Sequence, residues 1–336
     1  MSRERSAGAP SRRLPRVRLA ALPTPLVRAE RLERAIGGPP LYLKRDDLTG
    51  FALAGNKARK LEFLVGEAAA LGCDSLVTGG GPGSNFCQAA AAAARVAGLR
   101  CILVLYGQEP ASPPPNLALA RAFGAEVRFT GRPGRESVDP ALDAAAAELQ
   151  AEGWRPYLVP RGGATAVGAA GYALAVAELA VQLDAEQVTP ELVLVASGSG
   201  GTQAGLVAGT LAGGHTWRVV GASVSRPVGE CTARVLALAR AAAALLGLPE
   251  PAAGDVEAHD ARGPGYGVPS AEGERAAGLA AATEGLLLDP VFTAKALALL
   301  VRLVEEGAGG QVVFWLTGGV PAALAHLEGG GPWSHP

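Results

Sequence analysis

The stretch L-V-L-V-A-S-G-S-G-G-T-Q-A-G-L at 192–206 runs from a branched apolar pattern, through a glycine-rich turn, into an Ala/Gly/Leu segment of helical character. A short apolar run bounded by turn signals suits a strand buried on both faces. Glycines in the turn let backbone N–H groups aim at one point, and the following helix adds the partial positive charge of its N-terminus. Residues 197–202 can therefore cradle a phosphate, although a turn built only for tight packing would read the same. The segment has neither the G-K-[ST] of a nucleotide P-loop nor G-x-G-x-x-G spacing.

Outward from this unit the pattern repeats. Apolar runs at 41–44, 75–78, 101–106, 126–129, 156–159, 218–222 and 312–316 alternate with helical segments. The helices are expected near 57–71, 84–97, 115–123, 139–152, 166–184, 202–212, 227–246, 271–285 and 293–306. Strands and helices in alternation predict an α/β protein with parallel sheets covered by helices on both faces. Its glycine-rich segments fall at the carboxyl ends of strands, where open α/β sheets bind ligands.

The bulk composition narrows the class. At 336 residues the chain suits two domains, and 49% hydrophobic against 18% charged residues favours a large buried core. A formal net charge of −1 gives no electrostatic footprint for nucleic acid or an anionic membrane. The N-terminus lacks an apolar secretory stretch, and the long Ala runs are interrupted by Arg, Glu or Gln, so no membrane span is expected and the cytoplasm is the default location. Cys73, Cys87, Cys101 and Cys231 form no C-x-x-C pair and are expected as buried, reduced thiols in helices and strands. The four histidines are scattered, so no metal site is expected. Residues 1–13, rich in Arg, Ser and Pro, read as a disordered tail, and 328–336 as a linker with the first half of a streptavidin-binding tag, which sets Trp333 and His335 aside.

Lysine is the compositional oddity. It occurs only at 44, 57, 60 and 295, beside 26 arginines. Arginine cannot shed a proton to become a nucleophilic amine, so a retained lysine is a candidate for chemistry. Two lie in A-G-N-K-A-R-K at 54–60, where solvated helix-face charges are the plain alternative. In T-G-G-G-P-G-S-N-F at 78–86, Ser84 and Asn85 open a helix; they can cap it, or the same N–H groups can hold a carboxylate. G-P-G-Y-G-V-P at 263–269 and L-T-G-G at 316–319 are ordinary turn sequences taken singly.

Taken together and in order, these segments resemble the fold-type II (tryptophan synthase β-like) pyridoxal 5′-phosphate (PLP) enzymes, specifically the D-cysteine desulfhydrase and 1-aminocyclopropane-1-carboxylate deaminase group. The matching stretches include L-P-T-P-L (22–26), L-Y-L-K-R-D-D-L-T (41–49), G-N-K-A-R-K-L-E-F-L (55–64) and G-S-N (83–85). They continue with P-Y-L-V-P-R-G-G-A (156–164), G-S-G-G-T-Q-A-G-L (198–206), G-Y-G-V-P (265–269), L-L-D-P-V-F-T-A-K-A (287–296) and L-T-G-G. The resemblance implies two open, mostly parallel sheets, with a large domain of 14–54 plus 166–327 and a small one of 55–165, in a homodimer. It implies that Lys57 carries PLP as a Schiff base and that Lys60 contacts its phosphate, cradled by Gly198, Ser199, Gly200, Gly201 and Thr202. Asn85 would meet the phenolic oxygen and Thr317 the pyridine nitrogen. A neutral hydroxyl there makes the ring a weaker electron sink than a carboxylate partner would, which suits prompt loss of a β leaving group. Ser84 and Tyr266 would act on a small amino-acid substrate, in a pocket shared with Phe86, Gly163 and Phe292.

The family pattern also has departures. The deaminases carry Tyr-Glu where this chain has Phe292-Thr293, which points away from cyclopropane opening. The desulfhydrases carry Tyr-Thr-Gly-Lys at 292–295 and Gln-Ser-Asn-His at 83–86, where this chain reads Phe-Thr-Ala-Lys and Gly-Ser-Asn-Phe. The expected function is α,β-elimination on a D-cysteine-like amino acid. β-Replacement or cyclisation in a specialised pathway is the alternative, and a non-catalytic PLP-binding protein a third.

Overall fold

The computed structural model describes residues 13–330. Its strands are β1 (Leu26–Arg28), β2 (Leu41–Arg45), β3 (Ser75–Gly80), β4 (Arg100–Leu105), β5 (Glu126–Phe129), β6 (Pro156–Leu158), β7 (Pro190–Ser197), β8 (Arg218–Ser223), β9 (Glu257–Asp260) and β10 (Gln311–Leu316). They form a six-stranded sheet in the order β1-β2-β10-β7-β8-β9 and a four-stranded sheet in the order β5-β4-β3-β6. Every pairing is parallel except β1 with β2.

The helices are α1 (Glu30–Ile36), α2 (Lys57–Ala70), α3 (Asn85–Val96), α4 (Pro115–Ala122), α5 (Val138–Ala151), α6 (Ala166–Ala185), α7 (Gly201–Ala212), α8 (Val228–Leu246), α9 (Ala271–Glu284), α10 (Thr293–Glu305) and α11 (Val320–Glu328). Side chains alternate across a strand, and in β7 this sends Leu192, Leu194 and Ala196 into a core with α9 and α10. Val193 and Val195 go to the opposite face, into a core with α6, α7 and α8. The smaller sheet does the same: Leu76, Leu103 and Leu105 meet α2, α3 and α4, while Val77, Ile102 and Val104 meet α5.

Every expected strand and helix is present, with ends shifted by at most two residues. Four short elements were not foreseen. β1 and β9 lie at the edges of the large sheet, and E-A-H-D in β9 has no apolar alternation to announce a strand. α1 buries only Leu32, and α11 is only nine residues long, so neither gives a long periodic pattern. α11 runs through Glu328, one residue into the expected linker. Residues 1–12 of the expected tail (1–13) and the last six residues of the expected linker and tag (328–336) lie outside the described residues.

Two further expectations are corrected. Cys73 lies in the turn after α2, partly exposed, rather than within a helix or strand; the other three thiols are buried. The segment Arg161–Ala185 is long and apolar enough to cross a bilayer by length and composition, despite the interruptions in the Ala runs. Here it forms the central α6, packed against α2, α7 and α8. Its Glu178 accepts from Lys44 at 2.5 Å and from Arg59 at 2.8 and 2.9 Å, inside a polar network.

Candidate active site

A cleft of about 510 Å³ opens at the carboxyl ends of β3, β7 and β10 and at the start of α2. Its walls come from both sheets. Asn56, which precedes α2, does not cap it with its side chain. Instead its Nδ2 donates to Thr202 Oγ1 at 3.0 Å and its backbone N–H to Thr317 O at 2.9 Å. These two bonds fasten the start of α2 to the glycine-rich turn after β7 and to the end of β10. Gly55 makes the approach possible: it sits at φ +55°, and a Cβ there would stand 2.2 Å from Thr317 O.

Lys57 is the first residue of α2 and lines the cleft, partly buried. Its amine makes no hydrogen bond among the described residues. Burial lowers it to about 8, against the opposing charge of Asp289. About a tenth of this amine is therefore neutral, and nucleophilic, at pH 7, far more than for an ordinary lysine.

Lys60 lies one turn further along α2 and is fully buried. Its ammonium donates to Gly162 O at 2.6 Å and has no carboxylate partner among the described residues. Burial, then the charges of Lys57 and Arg234, push it well below the ordinary lysine range. An ammonium held this way is unfavourable unless an anion joins it. Gly201, the first residue of α7, passes directly over it; a Cβ there would stand 2.8 Å from Lys60 Nζ. Helix α7 also begins without a side-chain cap, so its opening N–H groups remain available. Arg234 holds the turn from outside, donating to Ser199 O at 2.9 Å. A buried cation beside an uncapped helix start and a glycine surface fits a phosphate group.

The remaining expected residues divide into cleft walls and supports. Ser84, Asn85, Phe86, Tyr266, Phe292 and Thr317 all line the cleft. Ser84 caps α3, accepting from Cys87 N at 3.2 Å, and it also lines the cleft. Asn85 Oδ1 accepts from Asn116 Nδ2 at 2.8 Å, which leaves its own amide N–H groups to donate. Tyr266 is 44% exposed, at the mouth. Its ring stands edge-on to Phe292, with centroids 6.2 Å apart. Gly163 is not a wall: it lies behind Phe86, whose ring would meet a Cβ there at 2.6 Å, while Gly162 fills the wall.

Among the cleft residues missed in the sequence are Asp289 and Arg135, besides Asn56. Asp289 is buried, and accepts from the backbone of Val291, Phe292 and Thr293 and from the Thr293 hydroxyl at 2.7 Å. It thereby sets both the start of α10 and the charge facing Lys57. An acidic residue shortly before a helix was the available signal. Arg135 reaches from beside the small sheet to within 5.5 Å of the Tyr266 ring. No local pattern marks it.

Comparison with known proteins agrees with this geometry. The family model described as "Pyridoxal-phosphate dependent enzyme" matches residues 17–318. Proteins named D-cysteine desulfhydrase from Salmonella choleraesuis (strain SC-B67) and Salmonella newport (strain SL254) are each 39% identical, over 94% of this chain and 97% of theirs. A crystal structure of an "ACC deaminase homologue" superimposes with a TM-score of 0.88 at 36% identity, covering 94% of this chain and 95% of that one. A pyridoxal 5′-phosphate-dependent aspartate racemase shares the fold at 19% identity and a TM-score of 0.63, covering 88% of this chain and 90% of its own. With the family model matching residues 17–318 and similarity covering 97% of the desulfhydrases' length, this chain belongs to the pyridoxal-phosphate dependent enzyme family.

Proposed function

We propose that this enzyme catalyses α,β-elimination on D-cysteine or a similarly small amino acid with a β leaving group, releasing that group (sulfide from D-cysteine) and an enamine that water hydrolyses to a 2-oxo acid and ammonia. The observation that carries the reading is the unbonded Lys57 amine, lowered to about 8, one turn from the anion site at Lys60. The relatives named D-cysteine desulfhydrase support the substrate class.

Bound PLP supplies an electron sink for the negative charge that develops at the substrate's Cα. Lys60 Nζ and the first turn of α7 would bind the phosphate. The Asn85 amide and the Thr317 hydroxyl, both lining the cleft, would orient the ring. Lys57 would hold the cofactor and, as a free amine, take the proton from Cα; a base near 8 is well matched to work at neutral pH. The Ser84 oxygen accepts from Cys87 N, so its proton is free to be donated toward the substrate carboxylate. Tyr266 stands at the substrate entrance, and Phe86 and Phe292 exclude water from the inner cleft.

That apolar wall favours a second reading, β-replacement or cyclisation, in which water is kept from the reactive product. Steady release of ammonia from the amino acid alone separates the two. The decisive screen offers both enantiomers of cysteine, chloroalanine, serine and cysteate, following 2-oxo acid and ammonia. Turnover of none of them without a second substrate would overturn the elimination reading. The two sheets support a division into 14–54 plus 166–327 and 55–165. The reading carries with it a cytoplasmic homodimer, testable by sedimentation of the holoenzyme.

A further inference from the structure

We infer that Lys295 is a positioning residue for Tyr266, fixing the backbone on which that phenol enters the cleft. The inference rests on the proposed substrate-side place of Tyr266. Lys295 lies on α10 and is 1% exposed. Its ammonium donates to Arg262 O at 2.6 Å and Gly265 O at 2.9 Å. It has no carboxylate partner among the described residues.

Those two carbonyls belong to the loop between β9 and α9, immediately before Tyr266. The start of the loop is held separately, Ala261 N donating to Ser223 O and Arg262 N to Asp260 Oδ1, each at 3.0 Å; nearer Tyr266 its own turn bonds, Gly265 N to Arg262 O and Val268 N to Gly265 O, are long at 3.2 and 3.4 Å. Tyr266 and Val268 are 44% and 48% exposed. Helix α10 therefore fixes Tyr266 twice, through Phe292 against its ring and Lys295 beneath its backbone. Lysine suits the task because three donors on a slender stem can satisfy two diverging carbonyls, which a planar guanidinium cannot do in the same space. Lys295 lines no part of the cleft and acts only through the loop.

The test uses holoenzyme carrying Lys295→Met, Tyr266→Phe, both, or Lys295→Gln. With D-cysteine or β-chloro-D-alanine, Lys295→Met should lower kcat/KM about ten- to a hundredfold, the scale set by a displacement of about 1 Å in an active site. Cofactor absorbance should stay unchanged, and amide hydrogen exchange should quicken over 261–270 alone. In the Tyr266→Phe background the same change should cost about threefold or less, since the loss runs through the phenol. Lys295→Gln, which keeps two N–H donors on a shorter side chain, should recover part of the activity. Wild-type kcat/KM in Lys295→Met, unchanged loop exchange, or equal losses in both backgrounds would each overturn the inference. If Lys295→Met fails to hold cofactor, Lys295→Gln decides alone: wild-type turnover with a wild-type loop refutes. A silent Tyr266→Phe would instead remove the reading of Tyr266 itself, and the inference with it.

Discussion

Replacing Lys60 with methionine should move stability and cofactor affinity in opposite directions. Without cofactor, the Lys60 ammonium is buried with one carbonyl partner, and burial holds it well below its ordinary value of 10.5. Between those two values the unfolded chain carries a proton that the folded chain does not. Stability at this site therefore rises with pH across that window, and the site is most unfavourable below it. Methionine keeps the length and removes the charge. It relieves the several kcal/mol that a buried ion costs and forfeits one hydrogen bond, about 1 kcal/mol. We expect cofactor-free Lys60→Met to be more stable than the parent at neutral pH by about 1–3 kcal/mol. At about 2–4 °C per kcal/mol for a chain of this size, differential scanning calorimetry resolves the gain. Above pH 10.5 the parent's amine is neutral and still bonded to Gly162, so the gain should vanish or reverse.

With phosphate in place the sign inverts. The ammonium then makes a charge-assisted bond worth about 1.5–3 kcal/mol, so PLP should bind Lys60→Met about ten- to a hundredfold more weakly in an absorbance titration. A cofactor-free variant that melts below the parent at pH 7, with unchanged PLP affinity, would refute the assignment of Lys60 as an unpaired cation awaiting an anion.

Borohydride reduction of the holoenzyme should fix the cofactor on Lys57, as read by peptide mapping; Lys57→Arg should abolish the adduct while leaving the fold intact. Ser84→Ala should lower stability by about 1 kcal/mol, because the bond to Cys87 N is a real cap, and should also cut turnover; normal kcat with an earlier melt would return Ser84 to capping alone. Phe292→Tyr should raise kcat/KM for D-cysteine about ten- to a hundredfold and lower it for a native substrate fitted to the apolar ring; no change in either would make Phe292 mere packing.

What the sequence made legible follows from how locally each feature is specified. β7 was readable because a strand covered on both faces must be apolar throughout. β9 was not, because an edge strand bonded on one side tolerates E-A-H-D. The glycine-rich turn proposed to hold a phosphate was readable as a contiguous strand, glycines and helix, but Lys60, which has no carboxylate partner among the described residues, shows only once α2 and α7 are seen together. Gly163 was assigned a residue too far, since Gly162 and Gly163 are alike in sequence and only the position of the Phe86 ring separates them. Arg135 reaches Tyr266 across the cleft from another part of the chain, and nothing within its own neighbourhood encodes that contact.

The scarcity of lysine was the most informative signal, and it reaches beyond the cofactor. None of the four is a solvated helix-face charge: Lys44, Lys60 and Lys295 are buried, and Lys57 lines the cleft. Lys44 donates to Thr24 O, Glu178 and Gln182 at 2.5–2.7 Å. Glu178 also takes both terminal nitrogens of Arg59, and together they hold its carboxyl down at about 2 although burial pushes it up. Arg59 continues to Asp46, which receives Tyr172 at 2.5 Å and Trp315 at 2.8 Å. Arg59 stands two residues after Lys57, and Trp315 two before Thr317. One buried network thus ties the strand that presents Thr317 to the helix that presents Lys57. Breaking it from one side would leave an uncompensated charge in the core, so the spacing between the Lys57 amine and the Thr317 hydroxyl is set by the same interactions that hold the sheet to its helices.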